Sequence, residues 1–176
     1  MTAETLRRHL KSFVLPTVVV IVVPFFQIVV FSPLGLRFNR PFPFAQILLG
    51  MILFICGLIL FFLAVRLFSG IGKGTLAPWD PTRRLVTQGI YGHLRNPMIT
   101  GVFAILLGEA ALLGSRPVLV WFGVFVLINL IYMPLFEEPG LAKRFGEDYR
   151  LYEANVPRWL PRLTPWKAIK NPERRL

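Results

Sequence analysis

The stretch that organises this chain is Gly89–Gly101, which reads Gly-Ile-Tyr-Gly-His-Leu-Arg-Asn-Pro-Met-Ile-Thr-Gly. Four polar residues of different kinds stand just before an apolar run that starts at Met98: Tyr91, His93, Arg95 and Asn96. Pro97 predicts a boundary, because proline restricts the residue before it and suits the first turn of a helix. The stretch therefore predicts a polar loop that leads into a buried helix. The free N–H groups at the start of such a helix suit an anionic ligand; the alternative is an interfacial loop that meets lipid head groups.

The chain around this loop is mostly apolar. Of its 176 residues, 55% are hydrophobic, and the charges are crowded into a few segments. This composition is typical of a membrane protein with a single domain, residues 1–176. Four apolar runs have about the length needed to cross a bilayer: 13–31, 44–68, 98–113 and 118–136. The predicted fold class is an all-α, polytopic membrane bundle of about four transmembrane helices, followed by a cytoplasmic tail, 137–176, with an amphipathic helix.

The basic residues predict how the bundle is oriented. The chain has 20 Lys+Arg against 9 Asp+Glu, a net charge of +11. Because the basic residues flank apolar runs, we expect anionic membrane lipids as their partner, not nucleic acid. Four spans place both termini on one side, and only Arg37, Arg40 and Arg116 fall on the other. The positive-inside rule then predicts an integral protein of the inner or plasma membrane, with both termini and the Gly89–Gly101 loop in the cytoplasm.

The tail carries a helical pattern. Apolar and aromatic residues recur at intervals of three and four: Leu141, Phe145, Tyr149, Tyr152 and Val156. The pattern predicts one amphipathic helix, which either lies on the bilayer or closes over a site between the membrane helices.

Other features of the spans are interpreted from single residues. Glu109 is an acid deep in an apolar run, which suggests either a function or a structural hydrogen bond with Gln27 at a similar depth. Gly50 and Gly57 are seven residues apart and predict close helix approach. Pro134 predicts a kink. Cys56, the sole cysteine, excludes an intrachain disulfide and a cysteine-rich metal site, and we predict no metal.

Two polar clusters are expected to meet at one membrane face. The turn Gly114–Pro117 makes the third and fourth spans a hairpin, which brings Glu137 and Glu138 beside the polar loop. Adjacent glutamates at a membrane boundary repel each other unless cations neutralise them. A ligand with a carboxylate and a cationic group satisfies both clusters. S-adenosylmethionine is such a molecule, although other zwitterions fit the same argument; exposed glutamates at the head-group level are the alternative.

The same residues resemble a known family. Arg95-Asn96-Pro97-Met98 with Gly101, followed by Glu137-Glu138-Pro139, Phe145-Gly146, Tyr149, Tyr152 and Val156-Pro157, is similar to the isoprenylcysteine carboxyl methyltransferases and the related phospholipid N-methyltransferases. The resemblance runs from about residue 72 to 161. It implies an integral membrane enzyme that uses S-adenosylmethionine at the cytoplasmic face.

The resemblance also implies roles for individual residues. The cofactor pocket would be lined by Tyr91, His93, Arg95, Asn96, Pro97, Gly101, Glu137 and Glu138. Gly72 and Gly74 are the nearest equivalent of a Gly-x-Gly that phospholipid methyltransferases place ahead of this block; taken alone, these glycines predict a flexible linker. Arg95 and Glu138 are the expected catalytic residues, and Tyr149, Tyr152, Asn155 and Arg158 the expected acceptor-binding ones.

The chain departs from the family where the acceptor is concerned. The eukaryotic carboxyl methyltransferases have an arginine before Val-Pro, where this chain has Asn155. We therefore expect methyl transfer to a lipid-like or small hydrophobic acceptor, with little activity on a prenylcysteine carboxylate. The alternatives are a nicotinamide-dependent membrane reductase similar to sterol reductases, although no dinucleotide fingerprint is present, and a non-enzymatic protein that keeps the fold.

Overall fold

The computed structural model describes residues 13–31, 43–72 and 82–167, and every regular element in these ranges is helical. Helix α1 is Val14–Phe31, α2 is Phe44–Gly72, α3 is Pro97–Leu113 and α4 is Arg116–Phe145. A 3₁₀ turn, Gly89–Gly92, precedes α3, and α5 is Glu147–Asn155. The predicted class, a helical membrane bundle, is confirmed. Helices α1, α2 and α4 are long and apolar enough to cross a membrane, whereas α3 is apolar but has 17 residues, so the count of four spans stays a prediction.

Helices α2 and α3 pack backbone against backbone. A Cβ atom placed on Gly57 would lie 2.7 Å from the carbonyl oxygen of Gly101, and one on Gly108 would lie 2.7 Å from the amide nitrogen of Phe54. Only glycine leaves room for two helices at this distance. The close approach predicted from Gly50 and Gly57 is therefore confirmed, and its partner is the glycine face of α3.

The boundaries of two elements differ from the predicted ones. Helix α2 continues through Ser69–Gly72, where the glycines suggested a flexible linker, because Gly72 packs on Thr82 and its carbonyl accepts a hydrogen bond from the Arg83 amide at 2.9 Å. Helix α4 continues past residue 136 through a π-helical turn, Met133–Glu137, to Phe145. Pro134, the residue from which a kink is predicted, lies in that turn, so the regular α-helix is interrupted there.

The tail helix predicted as one piece is two. Gly146 has φ +56° and ends α4, and α5 begins at the next residue. A left-handed backbone of this kind is open to glycine without steric cost. The predicted stripe nevertheless forms one buried cluster, in which Tyr149, Tyr152 and Val156 pack with Leu141 and Phe145. Because Leu85 and Trp166 cover the same cluster, the stripe packs on protein instead of lying on the bilayer.

Candidate functional site

A charge cluster lies at the end of the α3–α4 hairpin opposite its Ser115 turn. We define it as Arg95, Glu138, Glu153 and Arg158. Arg95 comes from the loop before α3, Glu138 from α4, Glu153 from α5 and Arg158 from the segment after it. Four separate parts of the chain therefore supply the two positive and two negative side chains.

Glu138 is held between the two arginines. Its Oε1 accepts a hydrogen bond from Arg158 Nε and its Oε2 accepts one from Arg158 Nη2, both at 2.6 Å. Arg95 Nη1 lies 3.2 Å from Oε1 on the other side. Glu138 is 8% exposed, and a carboxylate so deeply buried is stable when guanidinium groups satisfy both of its oxygens.

Arg95 joins Glu138 to α5. Its Nη1 donates to Glu153 Oε1 at 2.8 Å and lies 3.4 Å from the Tyr149 hydroxyl. Its Nε is buried and has no hydrogen-bond partner among the described residues. A buried guanidinium N–H without a partner is costly. Arg95 therefore keeps an unused donor beside an otherwise satisfied cluster, which fits a ligand with an anionic oxygen.

The tyrosines of the site are neutral. Burial, followed by the charge of Glu138, raises the pKa of Tyr149 to about 12, although Arg95 opposes the shift. Burial also raises the pKa of Tyr152, whose hydroxyl donates to the Tyr91 carbonyl at 2.7 Å. Burial raises the pKa of Tyr91 as well, with smaller contributions from Tyr152 and Glu137.

Residues 157–166 form a strap across the polar loop. The amide of Arg95 donates to the Pro157 carbonyl at 2.9 Å, the amide of Arg162 to the His93 carbonyl at 3.0 Å, and the amide of Trp166 to the Gly92 carbonyl at 2.9 Å. The His93 ring binds the same strap, because its Nδ1 lies 2.8 Å from the Arg162 carbonyl oxygen. A carbonyl oxygen only accepts, so Nδ1 carries the proton and Nε2 is left for another partner.

The structure brings some predicted residues together and separates others. Arg95, Glu138 and Arg158 meet in the charge cluster, where Tyr149 contacts Arg95. Tyr152 lies on α5, and Tyr91 and His93 lie in the polar loop. Pro97 is buried at the first turn of α3, and the Asn96 carbonyl accepts from the amide and hydroxyl of Thr100. Their cofactor role stays a prediction.

Three predicted residues have packing or local contacts instead. Gly101 lies against the α2 backbone and Gly72 against Thr82. The side-chain amide of Asn155 donates to the Leu151 carbonyl of its own helix at 2.8 Å. Gly74, the other predicted cofactor-binding glycine, lies outside the described residues.

Sequence reasoning missed Glu153. It stands four residues after Tyr149 and three before Val156, so it occupies an apolar position of the α5 stripe. An acid at such a position signals a buried cation on the facing element. Here the cation is Arg95.

The Gln27–Glu109 pair predicted inside the bundle is not among the hydrogen bonds of the described residues. The Oε1 atom of Gln27 and the Oε2 atom of Glu109 are both buried without a hydrogen-bond partner there. Trp121, in contrast, bridges α4 to α1, because its Nε1 donates to the Val19 carbonyl at 3.1 Å.

Comparison with known proteins gives methyltransferases. The chain is 35% identical over 83 residues to protein-S-isoprenylcysteine O-methyltransferase of Schizosaccharomyces pombe. The matched stretch covers 44% of this chain and 33% of that protein. It is 33% identical over 102 residues to phosphatidylethanolamine N-methyltransferase 1 of Vanderwaltozyma polyspora. This match covers 57% of this chain and 12% of that protein. The chain thus matches a third or less of the length of these curated relatives.

A family model covers more of the chain. The model described as phospholipid methyltransferase matches residues 45–148, more than half of the sequence, from the start of α2 to the start of α5. Arg95 and Glu138 lie inside the matched region, and Glu153 and Arg158 lie beyond it. The chain belongs to the phospholipid methyltransferase family.

Proposed function

We propose that this protein transfers a methyl group from S-adenosylmethionine to a lipid-like or small hydrophobic acceptor at the cytoplasmic face of the membrane. The observation that carries the proposal is the charge cluster. A buried Arg95 with an unused N–H donor lies beside two glutamates at the end of a membrane hairpin. The family supports methyl transfer over the nicotinamide-dependent reductase.

The residues fit S-adenosylmethionine as a zwitterion. Arg95 would bind its carboxylate through the unused Nε donor, and Glu137, which faces no cation among the described ion pairs, would bind its ammonium group. His93 offers a further contact through Nε2. When bound, the cofactor supplies a methyl group on a positively charged sulfur, which an acceptor attacks from the opposite side.

Glu138 positions the arginines in the arrangement described. Its hydrogen bonds and ion pairs within the described residues are with Arg95 and Arg158, so it fixes the guanidinium that would hold the cofactor. If Glu138 is also to accept a proton from an amine acceptor, its pair with Arg158 must open first. Glu153, whose side chain is 40% exposed, is the alternative proton acceptor of the cluster.

We infer that the strap limits the access of water to the polar loop. Its backbone bonds cover the carbonyls of Gly92 and His93, and Tyr152 covers that of Tyr91. A site closed to water strengthens the contacts between charged groups and protects a reactive methyl donor from hydrolysis.

Binding of labelled S-adenosylmethionine to purified protein in detergent tests the proposal. We expect saturable binding that unlabelled S-adenosylmethionine displaces and that NADPH does not. Binding of labelled NADPH without binding of S-adenosylmethionine would favour the reductase, and no binding of either labelled compound would favour a non-enzymatic protein.

A further inference from the structure

We infer that Trp159 binds the methyl acceptor, through a hydrogen bond from its indole N–H to an oxygen at the junction of the lipid head group and its hydrocarbon chain. The inference rests on the proposed function for the identity of the ligand as an acceptor, and it adds a residue that determines which acceptor is chosen. Trp159 lies beyond the region that the family model matches.

Trp159 packs against the membrane helices and follows the charge-cluster residue Arg158 in the chain. Its indole ring packs on Phe103 of α3, with ring centroids 5.2 Å apart. Phe103 in turn makes edge contacts with Phe122 and Phe125 of α4. The residue before Trp159 is Arg158, whose guanidinium holds Glu138. Trp159 thus packs on an aromatic surface of the membrane helices and directly follows a residue of the charge cluster in the chain.

The indole N–H has no partner. Trp159 Nε1 is buried and makes no hydrogen bond to any described residue. Buried tryptophan N–H groups normally find an acceptor. Trp121, which belongs to the neighbouring aromatic packing around Phe125, satisfies this rule by donating to Val19. The Trp159 N–H is therefore an exception to this rule, and a bound ligand that accepts a hydrogen bond from it would account for the exception.

The surroundings define the ligand chemically. Its apolar part must lie against Phe103 and its neighbours, and its polar part must reach Arg158 and Glu138. The atom opposite Trp159 Nε1 is then at the boundary between the two parts. An ester carbonyl occupies this place in a glycerophospholipid and is a strong acceptor. A prenylcysteine carries a thioether there, and sulfur accepts weakly.

A comparison of diester and diether phosphatidylethanolamine isolates this hydrogen bond. The diether lipid keeps the head group and the chains but lacks the ester carbonyls. We expect the wild-type protein in detergent to bind the short-chain diester roughly two- to tenfold more tightly than the diether, the factor that one net hydrogen bond contributes. In Trp159→Phe, which keeps the aromatic ring but has no N–H, this preference should disappear. Isothermal titration measures all affinities.

Trp121→Phe is the matched control, because it removes an indole N–H whose partner is internal, and it should keep the preference. An equal preference in wild type and Trp159→Phe would overturn the inference, as would the absence of lipid binding in the wild type. Since no methyl donor is present, the result is independent of the proposed reaction. A Trp159-dependent preference without S-adenosylmethionine binding would refute the reaction and leave the lipid contact in place.

Discussion

At the scale of single residues, Arg95 organises the site. It touches Glu138, Glu153 and Tyr149 through one nitrogen and keeps another without a partner. A residue placed in this way loses several contacts at once when it is shortened. The effect of its replacement on a charged ligand should therefore exceed that of any exposed charge in the chain.

The first prediction concerns cofactor binding. Arg95→Ala and Glu138→Gln should each weaken S-adenosylmethionine binding by about 1.5–3 kcal/mol, the range for a hydrogen bond to a charged group. Glu138→Gln acts indirectly, because it releases Arg158 and Arg95. Isothermal titration measures both changes. Glu147→Gln is the control, since this glutamate pairs with Arg150 on the surface, where such pairs contribute little. Wild-type affinity in both site variants would exclude the charge cluster as the cofactor pocket.

The second prediction concerns the acceptor. Asn155 is exposed and its amide binds its own helix, so it offers no cation to a carboxylate. Arg158 is already paired with Glu138. The hydrogen bond between their side chains raises the pKa of Arg158. We therefore expect weak or absent ester formation on farnesylcysteine, and greater transfer to a neutral or amine-bearing lipid. A radiochemical assay with both acceptors measures the ratio. Robust ester formation by the wild type would contradict this expectation, whereas a gain in Asn155→Arg would support its electrostatic basis.

At the scale of elements, the α2–α3 contact determines where the polar loop can sit. Gly57, Gly101 and Gly108 let the two helices touch through their backbones, and the loop that carries Arg95 leads directly into α3. The position of Gly101 in this contact gives a physical reason for a glycine six residues after Arg95. If Gly101 serves packing, an added methyl group should lower stability. If it serves cofactor binding, the methyl group should lower the affinity for the cofactor.

The third prediction separates these roles. Gly57→Ala places a Cβ 2.7 Å from the Gly101 carbonyl, and Gly101→Ala places one 2.9 Å from the Gly57 carbonyl. Both should destabilise the protein by about 1–3 kcal/mol, the cost of overpacking. Thermal unfolding in detergent measures this loss. Gly123→Ala on α4 meets nothing within 4 Å, so it should leave stability unchanged or raise it by up to about 1 kcal/mol, because alanine has the higher helix propensity. Loss of cofactor affinity in Gly101→Ala at unchanged stability would contradict the packing role.

The elements also show what the sequence could predict. The long apolar runs and the 3.6-residue period of the tail identified the helices, because burial in lipid or protein imposes those patterns. The break at Gly146 was missed, since Phe145 and Tyr149 are four residues apart whether or not the helix is continuous. The polar loop and the two glutamates were found as residue types. Their pairing with Arg158 and Glu153 depends on how α5 folds back, and local patterns carry no information about that contact.

At the scale of the whole molecule, the site lies at one end of the helical hairpin. The Ser115 turn closes the opposite end. The orientation of the bundle therefore decides which compartment the charge cluster faces. All but three of the 20 basic residues fall on the predicted cytoplasmic side.

The fourth prediction tests this orientation. In a Cys56→Ala background, a cysteine at Leu113, which is 42% exposed beside the Ser115 turn, should react with an impermeant thiol reagent in intact cells. A cysteine at Leu163, which is 98% exposed in the strap, should react only after the cells are opened. Labelling of Leu163→Cys in intact cells would contradict the predicted orientation.

The most direct measurement is methyl transfer itself, made with the protein reconstituted in phosphatidylethanolamine-containing vesicles and S-adenosylmethionine that carries a tritiated methyl group. The protein should place label in the extracted lipid at a rate proportional to its amount. Arg95→Ala should reduce that rate by at least about tenfold, the factor that corresponds to 1.4 kcal/mol, while Glu147→Gln should leave it unchanged. Vesicles with the wild-type protein that gain no more label than vesicles without protein, across lipid and small hydrophobic acceptors, would contradict a methyltransferase function.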